Sequence, residues 1–340
     1  MIRCTDGARA LALVAVVPIL AVAGLPAADT KTPLGVYEYV VEQAQGGFGA
    51  VSAAVESAIT AGGWQLVGKV EVGAPKGCSF KSTVFAVVEQ GYAGRLMAAN
   101  KRTAPFAAVD RINVFQDEAG VHVAVVNVES VNRTVLMDDR AQADLSREHL
   151  KALRALVAGA VTGKASEREY GQRRDKGYIG KTMGVMAGGP FGEKVKDEFV
   201  ITDRDWQATA EKVKLGLSAR GPKWGLRLAY TLVLPEQETV VFGMTGSPMD
   251  SQSFSIVNAG GDETRSAYQC PGLDHAGAYP IEVVVTRDQN SVKVRMVDAM
   301  YRMKLFFEDA GKWAFMKNMG MPGSIHDELA AQIKAGLGMK

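Results

Sequence analysis

Three methionines and a histidine stand close together near the end of the sequence, in WAFMKNMGMPGSIHDE (313–328). Met316, Met319 and Met321 follow M-x-x-M-x-M spacing, and His326 comes soon after. Thioether sulfur is a soft, uncharged donor that suits Cu(I) rather than Zn²⁺ or Mg²⁺, and an imidazole can join such a set. Thioethers need no deprotonation and form no disulfides, so they remain donors in an oxidising compartment. Copper is the metal this segment would select, with Trp313 and Phe315 as a shield. The same residues fit two other uses. Methionine is a flexible filler of apolar cores, and an exposed Met/aromatic strip can dock a protein partner or hold a small apolar ligand. Six of the 14 methionines lie between Met296 and Met321, the one compositional outlier of the chain.

A second group is Cys270, Asp274 and His275 in CPGLDHAG (270–277). A Cys-His pair can activate a thiolate or bind metal, which would make a thiol-dependent enzyme. The other reading is a Pro-Gly loop with polar caps. Cys4 sits in the first residues, so Cys78 and Cys270 are the cysteines left to a mature protein, and an oxidising compartment lets them pair. His122 lies in an alternating strand and His149 near the start of a helix, and neither has a neighbour at ligand spacing.

Most familiar chemistry is missing. No H-E-x-x-H, C-x-x-C or G-x-S-x-G string occurs, which removes the usual warrant for a zincin, a redox thiol pair or a hydrolase elbow. GYIGKT (177–182) has Asp175 where a phosphate loop has its first glycine, and GGPFGE (188–193) lacks dinucleotide-binding spacing. A net charge of +2 without a basic run gives a nucleic-acid partner no support. Binding is therefore expected rather than catalysis, and no catalytic residue is nominated.

The elements must position these residues. Apolar content of 47% and charged content of 22% are those of a globular chain. MIRCTDGAR followed by ALALVAVVPILAVAGL reads as a secretory signal over 1–28, cleaved after Ala23 or Ala28, with an uncleaved anchor as the other reading. The expected location is periplasmic or secreted, with no membrane attachment after cleavage and with a periplasmic protein among the possible partners.

The remainder reads as two tandem copies. VYEYVV (36–41) precedes a helix over 48–61 with Phe48, Val51, Val55, Ala58 and Ile59 on one face. In the second half, Trp206, Ala210, Val213 and Leu217 line a matching helix, with Thr202 and Asp205 at capping-box spacing. WQLVGKVEV and STVFAVVEQG parallel WGLRLAYTLVL and ETVVFGMTGS. RINVFQDEAGVHVAVVNV (111–128) parallels IEVVVTRDQNSVKVRMVD (281–298), each a hairpin. Closing helices fall at 146–159 and 324–336, the latter with Ser324 and Asp327 at cap spacing. Each copy thus reads β-α-β-β-α-β-β-α, an α+β unit with an antiparallel sheet covered by helices. Asn132-Arg133-Thr134 is a sequon read as extended strand. The copies are placed at 29–163 and 199–340, joined by a charged and then Gly-rich linker at 164–198. After the last hairpin the second copy departs from the first, with 300–323 in place of 131–145.

The order of elements, the Gly-to-strand exit from the first helix, and AYPIEVVVTRD (278–288) resemble the bacterial α+β family known as domain of unknown function 302. The resemblance covers 36–160 and 200–340, one copy each, and the first copy has Ala108-Val109 where the second has Tyr279-Pro280. It implies a helix-covered, TBP-like antiparallel sheet. It implies no established reaction, so no site residue follows from it.

Overall fold

The computed structural model describes residues 32–137, 139–174, 179–182, 187–258, 270, 272–307 and 312–339. The signal segment over 1–28, with Cys4, lies outside the described residues, as do 175–178 at the start of the GYIGKT stretch.

The first copy runs β1 (Leu34–Glu42), α1 (Phe48–Ala61), β2 (Gln65–Glu71), β3 (Ser82–Val88), α2 (Gln90–Ala99), β4 (Asp110–Asp117), β5 (Gly120–Val126), α3 (Val128–Val135) and α4 (Ala143–Ala160). Four strands follow: β6 (Lys164–Ala165), β7 (Glu169–Arg174), β8 (Ile179–Thr182) and β9 (Ala187–Gly189). The second copy runs α5 (Phe191–Lys194), β10 (Val195–Ile201), α6 (Trp206–Ser218), β11 (Arg227–Leu234), β12 (Thr239–Thr245), α7 (Ser247–Asn258), β13 (Ile281–Asp288), β14 (Ser291–Val297), α8 (Ala299–Phe307), α9 (Lys312–Lys317) and α10 (Gly320–Gly336). Each makes an antiparallel sheet, β2-β3-β4-β5-β1 and β11-β12-β13-β14-β10, and the two orders are the same. The α+β class is thus observed.

The apolar helical faces do what their period requires. Val51, Val55 and Ile59 of α1 and Ala210, Val213 and Leu217 of α6 are buried on their sheets. The central strands β3 and β12 are buried at every residue, because each sheet is covered on both faces. Helices of the same copy pack on each sheet, and a short turn from the other copy packs against its central strands. Residues 273–278 lie on β3, β4 and β5, and residues 104–107 on β12 and β13. Helices α6 and α10 cross at Gly216 and Gly336. A Cβ on either would lie 2.1–2.2 Å from a backbone oxygen of the facing helix, so only glycine permits this approach.

Several expectations are corrected. Residues 164–165 and 169–174, read as linker, form β6 and β7 paired to β1. The first sheet therefore extends through the supposed linker, and β8 pairs β9 as a small hairpin. The cap of α6 is Asp205 itself, which accepts the Ala208 N–H at 2.9 Å, and not Thr202. Helix α10 begins at Gly320, so Ser324 lies inside it, where its Oγ accepts from the Trp224 indole at 3.1 Å. The sequon lies in helix α3, with Asn132 buried. The two hairpins align one residue away from the parallel drawn above: β4 and β5 match β13 and β14 as 110–126 to 281–297. Asn127 and Asp298 then fall together, and each caps the following helix through Ser130 N–H or Tyr301 N–H.

The copies join closely. Cys78 and Cys270 form a disulfide between them. Asn113 Nδ2 donates to the carbonyls of Leu273 (3.0 Å) and Asp274 (3.2 Å), and Arg102 reaches Asp197 (3.1 Å). From β7, the Arg174 guanidinium donates to the carbonyls of Lys304 and Leu305 at the end of α8.

A candidate ligand cavity in the second copy

Helices α8, α9 and α10 follow the last strand of the second copy without closing fully on its sheet. Between them and β13–β14 lies a cavity of about 760 Å³, counting the part continuous with solvent. Its walls are almost wholly apolar, with Met296 from β14, Met303 and Phe307 from α8, Phe315 from α9, and Met321 and Ile325 from α10. These helices turn apolar residues inward because MYRMKLFF carries them at helical spacing.

Polar groups enter at few points. Arg302 of α8 is buried, with its Nη2 donating to the carbonyls of Ala278 and Pro280 (2.5 and 3.0 Å) and its Nε 3.3 Å from Glu282 Oε2. His326 of α10 lies 3.2 Å from Glu198 Oε1. That hydrogen bond, followed by opposing desolvation and nearby carboxylates, holds the His326 pKa above its ordinary value. Ser253 and Tyr279 share a hydrogen bond of 2.6 Å at another part of the wall.

The four residues of the thioether proposal are divided. Met321 and His326 line the cavity; Met316 and Met319 are not among its lining residues. Met316 is 41% exposed on α9, beside Trp313 at 75%. Met319 stands at the cap position before α10. His326 already has a carboxylate partner on one ring nitrogen.

The Cys270 group has another use. Its sulfur is bonded to Cys78, so this form holds no thiolate there. His275 is fully buried, with Nδ1 2.7 Å from Asp274 Oδ1 and its ring against Tyr37, Tyr170 and Phe307. It packs at the joint between copies. His122 pairs with Asp117 at 2.9 Å within its own hairpin. Among the described residues, no group of three or more His, Cys, Asp or Glu could hold a metal ion.

Sequence reasoning missed Arg302 and Glu282. Each is a lone charge inside an apolar element, Arg302 in MYRMKLFF and Glu282 in PIEVVVT. A buried charge of this kind requires a partner, and that was the available signal.

The corresponding space of the first copy is filled differently. Tyr92 hydroxyl and Ser146 Oγ hold Asn132 Nδ2 at 2.6 and 2.9 Å, and His149 lies 2.7 Å from Asp110 with its ring stacked on Tyr92. Two recesses remain there, of about 350 and 250 Å³.

No family model and no curated protein matches the sequence. Among solved structures, the chain is similar to one described as the crystal structure of uncharacterized conserved protein DUF302 from Bacillus stearothermophilus. The identity is 14% and the TM-score 0.32, over 37% of this chain and 98% of that one.

Proposed function

We propose that this chain is a binding protein whose second copy holds a small, largely apolar molecule between α8–α10 and the sheet. One observation carries this reading: a concave, largely apolar cavity with a few polar groups at its wall stands open in the second copy, the character of a small-molecule site. An apolar ligand gains roughly 25 cal/mol for each Å² it removes from water. Few polar groups are needed to orient it. The reading places the protein outside the cytoplasm. The N-terminal signal pattern supports this, and so does the Cys78–Cys270 disulfide, a bond that persists in oxidising compartments. Among the described residues no helix is long and apolar enough to cross a membrane.

The test is a fluorescence titration with the neutral dye N-phenyl-1-naphthylamine, run on the chain lacking residues 1–28. Saturable one-to-one binding is expected. Met303→Trp places a larger ring in the cavity wall and should weaken binding by about tenfold, a loss of ~1.4 kcal/mol. Unsaturable dye uptake, or equal binding by the variant with its melting curve unchanged, rejects the cavity as the site.

A further inference from the structure

The charge at the joint of the two copies identifies the class of ligand, given the cavity reading on which this inference rests. Arg111 of β4 and Arg302 of α8 converge on one carboxylate. Arg111 Nη1 is 3.1 Å from Glu282 Oε1, and Arg302 Nε is 3.3 Å from Oε2. All three side chains are more than nine-tenths buried. Two buried cations against one buried anion leave an excess of positive charge away from water, which is costly without a counter-charge.

Backbone carbonyls offset part of it. Arg302 Nη2 takes those of Ala278 and Pro280, and Arg111 Nη1 lies 3.4 Å from that of Ala278. Donors remain unused. Among the described residues, Arg111 Nε is buried without a partner, and no hydrogen bond is made by Arg302 Nη1. Arg302 and Glu282 both line the cavity, and Arg111 lies behind them against a recess of the first copy, so the three-charge cluster with its excess stands at the wall. His326 and Glu198 form a neighbouring pair that is near neutral when His326 is protonated.

We propose that the ligand is an amphipathic monocarboxylate, its head accepting from Arg302 and its apolar body lying against Met303, Phe315, Met321 and Ile325. A guanidinium donating to a carboxylate is a charge-assisted hydrogen bond, about twice as strong as a neutral one. A neutral alcohol of the same length gains the apolar contacts and lacks that bond.

Displacement of bound N-phenyl-1-naphthylamine by decanoate and by decanol separates the two readings. On the wild-type protein, decanoate should displace the dye at a concentration about tenfold lower than decanol. Arg302→Gln should lose this preference and keep its affinity for decanol. Arg302 also holds the backbone at Ala278 and Pro280, so this variant can fail to fold; the acid–alcohol comparison on the wild type then decides alone. Equal displacement by acid and alcohol overturns the carboxylate and leaves the cavity standing. Failure of the dye, decanol and decanoate all to bind, the latter two by calorimetry, overturns both.

Discussion

The same place in the two copies has been built in opposite ways. In the first, the space between the sheet and the helices after β5 holds polar side chains bonded to one another. In the second it is lined by apolar side chains and stands open. The hairpin register makes the substitution explicit. Asp110 corresponds to Ile281, Val128 to Ala299 and Asn132 to Met303; one strand earlier, Tyr92 corresponds to Met249. A bonded polar network fixes its members at set distances and resists an occupant. Methionine walls adapt to what enters. The difference teaches that one sheet order supports either a bonded polar core or an open apolar cavity, according to a few positions on one face.

The largest test asks whether the comparison concerns two independent bodies or one. Cys78→Ser with Cys270→Ser removes a crosslink of sequence separation 192. The chain-entropy relation gives about 5 kcal/mol for such a loop, as an upper figure. Urea unfolding should shift accordingly and stay a single transition, because Asn113, Arg102 and Arg174 still join the copies. Two separated transitions would show that the copies fold alone and that the disulfide is what holds them together.

The next test uses an acid that only the second copy carries. Asp250 in α7 stands where α2 has the buried Ala93. Burial pushes its carboxyl up to about 7, against opposing hydrogen bonds from the Gly73 N–H (3.2 Å) and the Thr245 hydroxyl (3.1 Å). The folded state then keeps a proton that the unfolded chain releases above about pH 4. Stability must fall as pH rises through that window, and the loss is complete above about pH 7. Between pH 5 and 8 this group removes ~2–3 kcal/mol. Asp250→Asn should flatten that slope in urea midpoints. An unchanged slope would assign the pH dependence elsewhere.

Much of the fold was legible in these terms and the cavity was not. Apolar residues at helical spacing gave α1 and α6, and alternation gave both hairpins, because each pattern is local. Strand β7 reads EYGQRR, polar on its face, because it lies at a sheet edge; its strand character comes from β1, which is distant in sequence. The joint was hidden by a slip of one residue between the two hairpins. Strand side chains alternate faces, so one residue exchanges the two faces. With the correct alignment Arg111 and Glu282 take equivalent positions with opposite charges, and the fold pairs them at 3.1 Å. The cavity itself has no sequence signal, since it is space left by elements that meet only in the fold. Of the three methionines singled out in the sequence, Met321 alone falls on its wall.

A smaller effect separates packed from open directly. Val128→Phe in the first copy inserts volume at a buried position beside the smaller recess of about 250 Å³ and should cost about 1–3 kcal/mol. Ala299→Phe at the matching position faces the cavity, and should change stability by less than about 0.5 kcal/mol while lowering dye affinity. Equal costs at the two positions would mean that the second copy closes in solution.

The smallest expected effect decides between sulfur and shape. Met316→Leu, Met319→Leu and Met321→Leu together keep apolar volume and remove three thioether donors. If the cavity is the site, dye and decanoate affinities should change by less than about threefold, under ~0.7 kcal/mol. Only Met321 lines it, and leucine fills nearly the same space. A Cu(I) competition titration on the same pair of proteins gives the opposite reading its chance. One-to-one copper binding that the variant loses would require Met316 and Met319 to turn from their present positions toward Met321 and His326. It would also require His326 to give up Glu198 or to bind through its other nitrogen. That result would make the second copy a metal receptor and the apolar walls its shield. Copper uptake that the variant matches would leave Met321, with Met296 and Met303, as adaptable wall, which is the property that distinguishes this copy from its polar twin.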